Sequence, residues 1–152
     1  MIVGAHSFPV TGDGEHNFST ICAAAERAAE AGAELLLFPE CALTGYPPRD
    51  IPSSAAVDFP RLAEMHAALH KLSDARNLAL IVGSMVPAEN GVRNAVMIFR
   101  PRRGTADLRQ AGAVGLGSGQ LRSRRCVGRV LLSRLENRRA HLLRSALPGI
   151  LP

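Results

Sequence analysis

Apolar residues along this chain change their spacing several times, and each change marks an element. "IVGAHSF" (2–8) reads as a short strand, and "TGDG" (11–14) has turn chemistry. From about Glu15 to Ala31 the spacing becomes helical: Phe18, Ile21, Cys22, Ala25 and Ala29 share one face, and Gly32 stands where a left-handed cap belongs. "ELLLFP" (34–39) is a continuous apolar run, which predicts a strand covered on both faces. "TGYPPRDIPSS" (44–54) must be loop, because its prolines cannot donate to a ladder or continue a helix. Asp58 can cap a second helix with Pro60 in its first turn and Leu62, Met65, Leu69 and Leu72 as its buried stripe. "LALIVGS" (78–84) predicts another buried strand. "PAENGVR" (87–93) is a turn with Asn90-Gly91 at its tip, and "NAVMIF" (94–99) is the returning partner. The order β-α-β-α-β-β predicts an α/β sheet with helices packed against it. After Phe99 neither spacing persists. "VLLSRLENRRAHLLRSAL" (130–147) reads at most as a basic helix, with Leu131, Leu135, Leu142 and Leu143 loosely on one face.

Composition changes that picture at one point. The net charge of +5 is the sum of two unlike halves. Residues 1–100 carry 7 Lys+Arg against 11 Asp+Glu, whereas residues 101–152 carry 11 Arg, no Lys and 2 acids. All six aromatics lie before position 100. A length of 152 residues suffices for one domain with a core. No segment reaches the length of a transmembrane helix, so no membrane partner is expected. The opening lacks a basic stretch followed by a long apolar one, so no secretory signal is expected. Cys22, Cys41 and Cys126 are an odd number without metal-ligand spacing, which favours a reducing cytoplasm over a disulfide framework.

Candidate chemistry centres on Glu40. Ligands of open α/β sheets bind beyond the carboxyl ends of strands. An acid just past an apolar strand, fixed by Pro39 and followed by a Gly/Pro-rich loop, is well placed to act as a general base. The competing reading is an acid solvated at a strand end.

The stretch "GAELLLFPECALTGYPPRD" resembles the first catalytic motif of the nitrilase superfamily, the carbon–nitrogen hydrolases. "GAHSFPVTGDGEHNF" is similar to that family's opening strand and turn, with His6 where many members carry Gln. "LALIVGSMVPAENGVRNAVMIF" is similar to the following hairpin, including Asn94 at its return. The resemblance spans positions 1 to about 100. It implies an αββα sandwich, incomplete in this chain, and a Glu-Lys-Cys triad that hydrolyses a small amide, N-carbamoyl compound or nitrile without metal or organic cofactor. Glu40 matches the family's base. Tyr46 matches a loop position near the substrate pocket and could equally be packing. The resemblance also implies a homo-oligomer.

The other triad members are missing. The one lysine, Lys71, sits in the second helix as a solvated side chain and matches no triad position. Cys126 lies in "RSRRCVGR", where cationic neighbours could lower its pKa but no strand fixes its geometry. Cys41 is expected in the core and Cys22 on the buried helical face. A frame-shifted tail accounts for this. Arginine without lysine, with many glycines and no aromatics, is what GC-rich coding DNA yields out of register. Back-translated and read one base later, residues 135–152 allow "WKIGVRICFEVRFPEYF", which is similar to the family's Cys motif. Residues 106–121 allow "LIYGKRALWGWDPDNF", which is similar to its Lys motif. A single insertion or deletion near positions 100–103 is inferred. Residues 1–100 are then the amino-terminal part of a hydrolase domain, and 101–152 an out-of-frame Arg/Gly-rich tail. The chain as written is expected to fold poorly, with 78–84 and 94–99 presenting an unpaired edge and an open apolar face, and to lack hydrolase activity.

Other signals are weaker. His66 and His70 are four apart on a helix, but no third ligand accompanies them, so a solvated helix edge is expected and no metal. "GLGSG" (115–119) follows no strand and opens no helix. The arginines from Arg122 to Arg144 could bind nucleic-acid phosphates, but the arm has no aromatic for stacking and no lysine, which argues against a nucleic-acid partner. A third reading is a catalytically dead subunit that co-assembles with intact relatives.

Overall fold

The computed structural model describes residues 1–89 and 91–109. Five strands form one sheet in the order of the chain: β1 (Val3–Ala5), β2 (Leu35–Leu37), β3 (Ala79–Ala88), β4 (Gly91–Arg100) and β5 (Gly104–Arg109). Helix α1 (Gly14–Glu30) joins β1 to β2, and α2 (Phe59–Arg76) joins β2 to β3. The first three strands are parallel, and β3, β4 and β5 follow as an antiparallel meander. Both crossovers step the same way across the sheet. Right-handed connections therefore place both helices on the same face.

Period-two alternation sorts the side chains of that sheet. Leu80, Val82 and Ser84 of β3 lie opposite Phe99, Met97 and Ala95 of β4, and all six are buried. With Leu36 of β2, the apolar members of this set pack against Ile21, Ala25, Leu62, Met65 and Leu69 of the helices. Gly83 and Met85 point to the other face, opposite Val96 and Asn94. The helix ends follow their sequence signals. Asp13 accepts from the backbone N–H groups of Glu15 and His16, and Asp58 from that of Arg61. Gly32 lies just past α1 with φ of 77°, and Asn77 caps α2 with φ of 50°. A missed device is Asn17, fully buried on α1. Its side chain donates to the Thr11 carbonyl (2.7 Å) and accepts from the Thr11 N–H (3.1 Å), tying the chain after β1 to the helix.

Several expectations need correction. Strand β1 is three residues long rather than seven. Strand β2 is covered on one face only: Leu36 is buried, whereas Leu37 is 36% exposed. The apolar run predicted two covered faces because an apolar strand looks the same whether its second face is covered in this chain or left for another layer. The hairpin strands run closer to their tip than predicted, to Ala88 and from Gly91. The sheet also continues past Phe99. Backbone pairing from Arg100↔Gly104 to Ala95↔Arg109 makes β5 a partner of β4. Residues 78–84 and 94–99 thus have neighbours on both sides over much of their length, and among the described residues the sheet ends at β1 and β5. Backbone hydrogen bonding makes β5 without the apolar alternation that a sequence reading requires. Among the described residues no second layer covers the face opposite the helices, and no helix is long and apolar enough to cross a membrane. The predicted basic helix at 130–147, Cys126, "GLGSG" and the arginines from Arg122 to Arg144 lie outside the described residues.

Candidate active site

The chain leaves β2 through Phe38 and turns sharply at Pro39–Glu40–Cys41 on the face that the helices do not cover. Three features set that turn. The Phe38 N–H still bonds the Ile81 carbonyl of β3 at 2.9 Å, which keeps the chain on the sheet. Cys41 adopts a left-handed backbone, φ of 48°, unusual for a residue with a β-carbon. Gly83 then lets the turn press directly on β3. A β-carbon at position 83 would lie 2.3 Å from the Pro39 carbonyl oxygen and 2.5 Å from the Cys41 nitrogen. The Leu43 N–H donates to the Gly83 carbonyl at 3.1 Å, and the Gly45 N–H to the Cys41 carbonyl at 2.9 Å, so both ends of the turn are anchored.

The result is one exposed carboxylate on a fixed base. Glu40 projects to solvent, while the next five residues, Cys41 to Gly45, are buried. Asn94 of β4 reaches the site from 54 residues away. Its Nδ2 donates to Glu40 Oε1, and its Oδ1 accepts from the Cys41 thiol at 3.5 Å. Cys41 packs with Ile51 and Met85 beneath the turn. Burial, reinforced by the adjacent Glu40 charge, pushes its thiol up to about 11, so it stays protonated at neutral pH. The expected core role of Cys41 holds. Cys22 is half-buried on α1.

An open cleft of about 460 Å³ lies in front of Glu40, walled by Phe8, Pro9, Tyr46 and Arg49 among others. That is room for a small organic molecule. Tyr46 has two sets of neighbours. It lines the cleft, and it packs against the Cys41, Ile51 and Met85 cluster. Asp50 locks the loop from two directions. It accepts from the Tyr46 N–H at 2.8 Å and takes Arg49 in a bidentate pair at 2.8 and 2.7 Å, which holds its carboxyl below the usual range. His6, where glutamine was noted as common, stacks on Phe8 and meets Phe38 edge-on, with ring centroids 5.8 and 6.0 Å apart. It therefore braces the cleft wall.

Lys71 is exposed on α2, as expected, and does not line the cleft. His66 departs from the predicted solvated edge: it is half-buried, and its Nε2 lies 3.0 Å from the Ser84 hydroxyl of β3. His70 pairs with Asp74 at 3.5 Å. No cluster of metal-binding side chains occurs among the described residues. The reading of the sequence missed the contact of Asn94 with Glu40 and the close approach at Gly83. Both residues fall on one face of a hairpin by period two, which was a usable signal. Nothing local indicated that the Glu40 turn would fold onto that face.

Residues 2–111 match the family model described as carbon–nitrogen hydrolase. Among solved structures, an amidase from Nesterenkonia sp. superposes with a TM-score of 0.60 at 26% identity, over 74% of this chain and 43% of the amidase. A variant of the Nesterenkonia sp. AN1 amidase in complex with butyramide matches to the same extent. The glutamine-dependent NAD+ synthetase from Acinetobacter baumannii gives 0.58 at 20% identity, over 72% of this chain and 20% of the synthetase, a likeness of fold. The chain thus spans less than half the length of the amidases it matches. No curated protein gave a significant match.

Proposed function

Because the chain belongs to the carbon–nitrogen hydrolase family, of the nitrilase superfamily, we propose that residues 1–100 are the amino-terminal part of a small-amide hydrolase with Glu40 as its general base. The observation that carries this is the Glu40 turn itself: one exposed carboxylate, held by Asn94 on a strained and anchored turn, at the mouth of a cleft sized for a small molecule. A solvated acid at a strand end needs none of that support.

The chemistry requires a thiol and a cation that these residues do not supply. Glu40 takes the proton of a cysteine thiol, and the thiolate attacks the amide carbon. A lysine ammonium stabilises the oxyanion of the tetrahedral intermediate. The C–N bond breaks, the departing nitrogen takes a proton through Glu40, and ammonia leaves. Water, deprotonated by the same carboxylate, then hydrolyses the thioester. Cys41 cannot be this nucleophile: it is fully buried in the cluster with Ile51 and Met85, and burial raises its thiol pKa. Lys71 is remote from the cleft. The frame-shift reading supplies both missing groups from the region after β4, and under it the chain as written has no hydrolase activity. An amide rather than a nitrile is favoured by the neighbours, since variants of the Nesterenkonia amidase bind acrylamide and butyramide.

The test is to restore the register by one base near codons 100–103 and assay ammonia release from butyramide. The restored protein is expected to turn over, and its Glu40→Gln variant to lose at least about 10²-fold in kcat, the usual scale of a general base. The chain as written is expected to be inactive. Turnover by that chain, or a restored Glu40→Gln variant as active as its parent, overturns the proposal.

A further inference from the structure

One amide group serves two neighbours in this site. Glu40 and Cys41 are adjacent in sequence, yet they have opposite requirements. The carboxylate must stand free to accept a proton, while the thiol beside it must keep its own. Asn94 touches both: it donates to Glu40 through Nδ2 and accepts from Cys41 through Oδ1. We propose that Asn94 is a positioning residue that aims the Glu40 carboxylate into the cleft and, with the other end of the same amide, ties the Cys41 thiol down so that the base cannot activate it.

The arrangement is specific to a carboxamide. An amide has a donor and an acceptor at one planar end, so meeting both partners fixes its flip. Asn94 sits on β4 directly opposite Met85, whose side chain is part of the cluster around Cys41. The backbone register therefore brings the amide to the turn without any freedom of the loop. Left free, Glu40 could rotate toward solvent, away from the cleft. A hydrogen bond to an ionised acceptor is among the stronger ones available to hold it.

This inference rests on the reading of Glu40 as the base, but its test needs no turnover. The full chain is labelled with ¹⁵N, and solvent exchange of the Asn94 side-chain amide is followed by NMR, assigned by loss of the signal in Asn94→Ala. One Nδ2 proton is expected to exchange at least about tenfold more slowly than in a free asparagine. Protection should survive in Glu40→Gln, whose amide oxygen still accepts, and should vanish in Glu40→Ala. In parallel, alkylation by iodoacetamide is followed by peptide mass mapping, with Cys22 as the reference. Cys41 should react about tenfold more slowly than Cys22 in the parent and in Glu40→Ala, and that lag should shrink in Asn94→Ala, with burial among Ile51 and Met85 maintaining the remainder. Asn94→Asp keeps an oxygen for the thiol, so it should preserve the lag. An Asn94 amide that exchanges at the free rate in the parent chain overturns the proposal. So does protection indifferent to Glu40→Ala, or a Cys41 lag unchanged in Asn94→Ala. A protected amide beside an inactive restored enzyme would sink the proposed function while upholding the positioning geometry.

Discussion

Gly83 shows how much of this site depends on the absence of one atom. The turn bearing Glu40 touches β3 backbone to backbone there, and any side chain would strike the Pro39 carbonyl and the Cys41 amide rather than a yielding side-chain tip. Gly83→Ala should therefore destabilise the protein by about 1–3 kcal/mol, the range for forcing a methyl group into a packed site. Urea denaturation measures this, and an unchanged midpoint would refute the close approach. Cys41 offers a second residue-scale prediction. Its thiol is pushed up to about 11 from an ordinary 9.0, first by burial and then by the Glu40 charge. The folded state thus holds a proton that the unfolded state releases sooner. This contribution is complete below about pH 9 and is lost as pH rises through about 11. Urea midpoints of the parent should fall between pH 8.5 and 10.5 more than those of Cys41→Ala. Equal falls would remove Cys41 as the cause.

At the scale of elements, helices were legible and sheet faces were not. Gly32, Asp58 and Pro60 are local signals, and each does in the structure what its type dictates, whereas Asp13, read only as part of a turn, proves to cap α1. Asp58→Ala should cost about 1 kcal/mol, because it removes the acceptor for the Arg61 N–H, and a thermal melt would register the change. Faces are different, since coverage depends on partners distant in sequence. Leu35–Leu37 reads as doubly buried from its composition alone, yet only Leu36 meets the helices. Strand β5 has weak alternation and is held by backbone pairing to β4. His66, with no third metal ligand beside it in sequence, reads as a solvated helix edge, but its ring turns inward to Ser84. Burial lowers its pKa, so the folded state favours the neutral ring. This contribution is whole above about pH 6.5 and is lost as pH falls below it, where protonation favours the unfolded chain. His66→Gln should flatten the stability profile between pH 7 and 5. A parent profile already flat there would discount the buried ring. Of the candidate site, Glu40 and Tyr46 can be named from one continuous segment, whereas the contact of Asn94 with Glu40 requires knowing that the turn folds onto β4.

At the scale of the molecule, the sheet has one face dressed by two helices and another on which the described residues place only the turn and loop after β2. Met1, Ile2, Val3 and Leu37 are 68%, 58%, 50% and 36% exposed, and they cluster where β1 pairs with β2. Among the described residues, strand β1 is also the outermost strand of the sheet, with backbone groups left unpaired beside that apolar surface. Contiguous apolar surface next to an unpaired edge drives self-association. The chain as written should therefore sediment as concentration-dependent assemblies, and Leu37→Lys, which places a charge on that exposed surface opposite Ala5, should shift it toward monomer. The same substitution separates two explanations of association. If the basic residues after position 100 were responsible, raised salt would dissolve the assemblies and Leu37→Lys would leave them intact. If the β1–β2 surface is responsible, salt would strengthen association by favouring apolar burial, and the lysine would oppose it. Assemblies that persist in Leu37→Lys but dissolve in salt would thus move the cause from the uncovered sheet to the arginines.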